Sequence, residues 1–126
     1  MPLTKPWQNA TPENLERTPA ALGVYEIGDA DGALLYIGFA GGRSRYGLRG
    51  EITNRIEQSQ PHAAASDSAR FRYEVNQMYL TRYVELLERE LKASGGLPPK
   101  NMLPGEYIPS MVRRAAGSNG HGAHGG

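Results

Sequence analysis

Cysteine is absent from this 126-residue chain, which excludes a disulfide framework, a thiol nucleophile and every thiolate-bound metal. No stretch approaches the roughly 20 apolar residues that a membrane span requires, and the opening Met-Pro-Leu-Thr-Lys-Pro carries no apolar signal core. The expectation is a soluble cytoplasmic protein with no membrane partner and no disulfide-linked partner. Net charge is scarce as well: at +1 it neither demands nor forbids a polyanionic ligand. No internal repeat appears, and no zinc finger, helix-turn-helix or other DNA-reading module is attached.

What is present suits one domain. The length lies in the commonest domain range, and hydrophobic residues at 39% together with 16 glycines are enough for one core held by packing alone. Charge is unevenly spread. Residues 1 to 32 set Lys5 and Arg17 against Glu13, Glu16, Glu26, Asp29 and Asp31, so the positive surplus falls later. Arg43, Arg45, Arg49 and Arg55 lie within thirteen residues, with Glu51 alone to offset them.

Pro2, Pro6, Pro12 and Pro19 mark residues 1–20 as an extended lead-in, interrupted by at most two helical turns from Thr11 as N-cap and Pro12 at the first helical position. Ala115 to Gly126 holds five glycines, two histidines and no large apolar residue, and reads as a disordered tail. His121 and His124 there lack the further ligands of a specific metal site. A single domain over 21–114 remains.

Within it, the apolar runs Leu22–Ile27 and Leu34–Phe39 flank Gly28-Asp29-Ala30-Asp31-Gly32, a turn composition, and predict a hairpin. A four-residue loop over Asp29–Gly32 would set Tyr25 directly opposite Tyr36 and Gly23 opposite Gly38. The two phenols would then share a face beside positions without side chains. Strand tyrosines commonly serve only as cross-strand packing. Interior strand glycines, however, mark a bulge or the close approach of a backbone or ligand, which favours a site.

Leu48, Ile52 and Ile56 recur every fourth residue and predict a helix; Phe71, Tyr73 and Val75 alternate with polar residues as a half-buried strand. From Thr81, a plausible N-cap, Tyr83, Val84, Leu87 and Leu91 define a second amphipathic helix that stops at Gly95-Gly96. The expected fold is α+β, a three-stranded antiparallel sheet flanked by helices in the order β-β-α-β-α.

Gly23-Val24-Tyr25 followed by Tyr36-Ile37-Gly38 resembles the signature of the GIY-YIG endonuclease superfamily, which includes homing endonucleases and the incision domain of bacterial nucleotide excision repair. Leu87-Glu88-Arg89-Glu90-Leu91-Lys92 is similar to that family's helical Leu-Glu segment, and Asn101 sits where the family places an asparagine. The resemblance spans about residues 21 to 103. It implies a metal-dependent endonuclease that hydrolyses phosphodiester bonds in nucleic acid, DNA or RNA, with one Mg²⁺ or Mn²⁺ ion. The alternative is a diverged module of the same fold that binds nucleic acid without cutting it.

The resemblance also implies roles. Tyr25 and Tyr36 match the paired active-site tyrosines, one a candidate general base and the other a water or phosphate ligand. Gly38 leaves room for a backbone, and Glu88 matches the single metal-binding glutamate. Magnesium commonly takes one or two carboxylates with waters and substrate phosphate, so a lone glutamate is chemically sufficient. The first helix departs from the family pattern: the stripe puts Glu51 where an arginine is expected and Arg55 where a tyrosine or histidine is expected. The catalytic arginine is therefore assigned to Arg49, in the first helical turn near the strand end that carries Tyr36 and Gly38. Arg43, Arg45, Arg55, Gly38 and Asn101 are expected on the nucleic-acid side.

Overall fold

The computed structural model describes residues 3–59 and 69–115. Its elements are β1 (Gln8–Asn9), α1 (Pro12–Arg17), β2 (Gly23–Asp29), β3 (Leu34–Ala40), α2 (Gly47–Ser59), β4 (Ala69–Val75), α3 (Tyr79–Ser94) and a 3₁₀ turn at Pro99–Met102. Helical backbone resumes over 110–115 and takes in Ala115, the first residue of the expected disordered tail; the rest of that tail lies outside the described residues. Among the described residues no helix is long and apolar enough to cross a membrane.

The class is α+β, with a four-stranded antiparallel sheet in the order β1-β4-β2-β3. The expected three-stranded sheet falls short by one strand, because the lead-in is part of the domain. Gln8 pairs with Phe71 and Asn9 with Arg70, a two-residue strand too short to show any periodicity. Leu3, Ala10 and Thr18 are buried, and Trp7 lies under the Arg72 guanidinium, 4.2 Å from its ring centroid. The helix start at Thr11 has the expected form: its Oγ1 accepts from the Asn14 N–H, with Pro12 in the first turn.

Helices cover both faces of the sheet. On one, Tyr25, Ile27, Tyr36 and Phe71 pack with Leu48, Ile52 and Ile56 of α2, all three of which are buried as their spacing requires. On the other, Val24 and Ile37 meet Tyr83, Leu86, Leu87 and Leu91 of α3. β2 is central and covered on both sides, which is why it is buried along nearly its whole length and reads as a run rather than an alternation. Its buried carboxylate, Glu26, is bonded to Arg72 Nε at 2.7 Å; burial pushes its pKa up and the bond to Arg72 pulls the other way.

The hairpin departs from the expected register. Asp29 and Ala33 close a shorter loop in which Gly32 takes φ 85°, the left-handed conformation that glycine reaches without strain. The Asp29 carboxylate accepts from the N–H groups of Asp31 and Ala33 and holds that loop. The ladder then runs Gly28↔Leu34, Ile27↔Tyr36, Tyr25↔Gly38, with an irregularity between Ile27 and Gly28. The net slip from expectation is two residues. A slip of one would have sent the tyrosines to opposite faces, whereas two keeps them together.

α3 begins at Tyr79, so Thr81 lies inside the helix rather than at its cap; the turn before it is set by Asn76 Oδ1, which accepts from the Met78 N–H. Its end is as expected, at Gly95 with φ 78° and its N–H bonded to the Leu91 carbonyl.

Candidate active site

The new register decides what Gly38 does. Gly38 stands opposite Tyr25, and a Cβ there would come within 2.4 Å of Tyr25 Cζ and 2.7 Å of Tyr36 Cε2. The space is filled by the phenol rings, not by an approaching backbone. This corrects the nucleic-acid role expected of Gly38. The rings lie diagonally across the ladder, centroids 6.0 Å apart and inclined by 41°. Tyr25 is wholly buried and Tyr36 is 6% exposed, so only Tyr36 reaches a cleft.

That cleft has a volume of about 590 Å³ and curves around the C-terminal end of edge strand β3. Its polar side combines Tyr36, Glu51, Arg55 and Glu106, with Arg43 and Ser44 from the loop after β3. The Tyr36 hydroxyl donates to Glu106 Oε1 at 2.7 Å, and Arg55 Nη1 donates to Glu106 Oε2 at 2.7 Å. The guanidinium lies over the Tyr36 ring, 4.4 Å from its centroid. Ser44 Oγ donates to Glu51 Oε2 at 3.0 Å and accepts from the Gly41 N–H, which ties the loop to α2. Two phenols, one guanidinium and two carboxylates thus meet where β3, α2 and the segment after the 3₁₀ turn converge.

The electrostatics follow from burial. Desolvation pushes the Tyr25 pKa well above the ordinary phenol value; Arg55 opposes the shift, and the Glu51 and Glu106 charges add to it. Tyr36 is raised by burial, by Tyr25 and by its bond to Glu106, which a phenolate could not donate. Burial therefore favours the neutral, hydrogen-bond-donating form of both phenols. Arg55 loses solvation, but its bond to Glu106 and the neighbouring phenols more than compensate, and it stays charged.

The remaining expected residues are placed as follows. Arg55, not Arg49, is the arginine of the cleft. Arg49 turns towards the lead-in, where Nε donates to the Thr18 carbonyl at 2.8 Å, because two residues along a helix is about 200° of rotation from Glu51. Arg43 lines the cleft, whereas Arg45 is exposed and faces Tyr46, 5.7 Å from its ring centroid. Glu88 does not enter the cleft. It is exposed on α3, about 100° round from the buried Leu87, in a groove with Glu85, Arg89 and Lys92. Among the described residues no group of three or more histidines or carboxylates could hold a metal.

Asn101 is wholly buried: its Nδ2 donates to the Ile37 carbonyl and its Oδ1 accepts from the Ile37 N–H, each at 2.8 Å. The side-chain amide imitates a peptide and closes the open edge of β3, so it is a sheet-edge clamp rather than a nucleic-acid contact. The residue that sequence reasoning missed is Glu106. It lies 70 residues from Tyr36, in Pro104-Gly105-Glu106-Tyr107, and belongs to no pattern. The one hint in the sequence was Glu51, an acidic residue at the helix position where the resemblance leads to the expectation of an arginine.

No curated protein and no solved structure matches the chain. One family model matches residues 1–92, which take in Tyr25, Tyr36, Glu51 and Arg55 and stop short of Asn101 and Glu106. By that match the chain belongs to the family described as Domain of unknown function (DUF7508).

Proposed function

We propose that this protein is a divalent-metal-dependent endonuclease, hydrolysing phosphodiester bonds in nucleic acid at the cleft between β3, α2 and the Glu106 segment. The observation that carries the reading is the Tyr36–Glu106–Arg55 cluster: a neutral phenol and a guanidinium at the floor of an open cleft, both held by one carboxylate at 2.7 Å. The resemblance of Gly23-Val24-Tyr25 and Tyr36-Ile37-Gly38 to the GIY-YIG signature supplies the reaction class.

The donor set fits one hard cation. Glu51 and Glu106 are the carboxylates that line the cleft, and each has lone pairs beyond the bonds it already accepts. They would hold the ion in place of Glu88. When bound, Mg²⁺ or Mn²⁺ supplies polarisation of the scissile phosphate and charge neutralisation on the leaving oxygen. The chain's own residues do the rest. Arg55 presents its remaining N–H groups to the phosphoryl oxygens, whose negative charge grows in the transition state. Tyr36, neutral through its raised pKa, gives a hydrogen-bond donor where an anion must be seated. A carboxylate of the cleft takes the water's proton. Arg43 at the rim holds the flanking strand by its phosphate and so contributes affinity rather than rate.

A second reading is a non-cleaving nucleic-acid-binding module of the same fold. It is favoured by the ion pair itself, since Arg55 is already neutralised by Glu106 and the helical glutamate of the family pattern stands outside the cleft. A nicking assay on supercoiled, branched and single-stranded substrates with Mg²⁺ or Mn²⁺ separates the two. The endonuclease cuts and EDTA stops it, whereas the module shifts the same substrates in a gel and cuts none.

A further inference from the structure

The wall of the cleft opposite the charged cluster is aromatic. Phe39 and Tyr79 are stacked at 5.7 Å with planes 14° apart, Tyr83 lies 4.8 Å from Phe39, and Tyr107 stacks on Tyr83 at 6.4 Å. These rings line the same cavity as Tyr36 and Arg55. The ladder is anchored from behind, because the Tyr83 hydroxyl donates to the Tyr107 carbonyl and the Tyr79 hydroxyl accepts from the Gly42 N–H. Tyr107 is nonetheless 57% exposed, so a packed group remains open to solvent. On the rim, Arg43 has no carboxylate within ion-pair distance among the described residues.

We propose that this wall stacks one unpaired base while Arg43 and Arg55 hold the adjoining phosphate, which makes a single-stranded or splayed nucleic acid the preferred ligand of the cleft. The inference rests on the nucleic-acid reading above and adds the substrate class to it. Three features carry it. The volume of about 590 Å³ belongs with sites that enclose one small molecule, hence one nucleotide rather than a duplex segment. Aromatic side chains beside guanidinium groups are the pairing that single strands require, with a π-face for the base and a cation for its phosphate. Bases in a duplex are paired and stacked on both faces, so a base reaches such a wall only after it has left the helix.

The test uses the full chain in EDTA, so that binding is read without cleavage. Fluorescence anisotropy is measured with a labelled ten-nucleotide DNA strand, the same sequence as RNA, the corresponding DNA duplex and a strand carrying abasic positions. The strands should bind at least about tenfold more tightly than the duplex and the abasic strand, and comparison of the first two distinguishes DNA from RNA. Tyr107→Ala should lose about tenfold on single strands with little change on duplex, and Tyr107→Phe should retain the affinity. A 2-aminopurine in the strand should be quenched on binding, a response that loss of structural support alone would not produce. Equal or tighter duplex binding, full affinity for the abasic strand, absence of quenching, or no binding to any of the four overturns the inference. Single-strand preference without cleavage in Mg²⁺ leaves it standing and removes the endonuclease. Cleavage without that preference does the reverse.

Discussion

Replacing Arg55 by alanine removes the group on which the geometry of the cleft depends, and its cost can be worked from what the side chain touches. Its side chain is 31% exposed and that of Glu106 15% exposed, so the 2.7 Å pair lies between a surface bridge and a buried one. Exposed pairs contribute about 0–1 kcal/mol, and breaking a fully buried one costs about 3–5 kcal/mol; about 1–3 kcal/mol is the corresponding range here. The cation over Tyr36 at 4.4 Å adds about 0.5–2 kcal/mol. Arg55→Ala should therefore destabilise the fold by about 1.5–5 kcal/mol. Glu106→Gln, which keeps an acceptor for Tyr36, should cost about 1–2 kcal/mol. Urea unfolding of both variants and of the double variant gives the coupling directly, and it should lie near 1–2 kcal/mol with unchanged m values. A coupling within about 0.3 kcal/mol of zero would show that the pair contributes nothing and that Arg55 is free for substrate.

Asn101→Ala should cost about 2–4 kcal/mol in urea unfolding, because it leaves the Ile37 N–H and carbonyl unpaired at a covered sheet edge. Gly38→Ala should cost about 1–3 kcal/mol and alter the near-UV circular dichroism of the tyrosines, since its Cβ would overlap both rings; Gly42→Ala, which meets nothing within 4 Å, should stay within about 0.5 kcal/mol of wild type. Stability should fall as pH rises above 10. Tyr25, Tyr36 and Tyr83 (the last pushed up to about 12, chiefly by burial) keep their protons in the native state, while the unfolded chain releases its own near 10. Each group steepens the decline by up to about 1.4 kcal/mol per pH unit, and Tyr25→Phe should remove one such contribution in urea titrations between pH 9 and 11.5. Arg72→Ala should be costlier than Glu26→Gln in the same measurement, because it strands a buried carboxylate whereas the second removes that charge.

Much of the fold was legible because it rests on local rules. The four-residue spacing of Leu48, Ile52 and Ile56 needed only the helical period, and all three are buried. Thr11-Pro12 and Gly95 act at their helix ends through their own backbone preferences. What could not be read was set by distance or by a single turn. The register of β2 and β3 depended on whether the loop closes with Gly32 in the left-handed region, and composition does not separate the possible loop lengths. β1 exists only because β4 offers it an edge. The phenol pair and an arginine-bearing first helix were visible, but their chemistry depends on Glu106, which tertiary packing alone brings to Tyr36. Glu88 stood one helical position from the buried Leu87, close enough in sequence to suggest the core edge and far enough in angle to face solvent.

Single-turnover cleavage of a labelled nucleic acid in Mg²⁺ or Mn²⁺, comparing wild type with Arg55→Ala, Glu106→Gln and Glu88→Gln, tests the central claim most directly. Wild type should cut and EDTA should abolish cutting. Arg55→Ala and Glu106→Gln should each slow the chemical step by roughly 10²-fold or more while the protein stays folded, and Glu88→Gln should cut at the wild-type rate. Failure of the wild type to cut any substrate with either metal, or loss of cutting in Glu88→Gln with retention in Glu106→Gln, would contradict it.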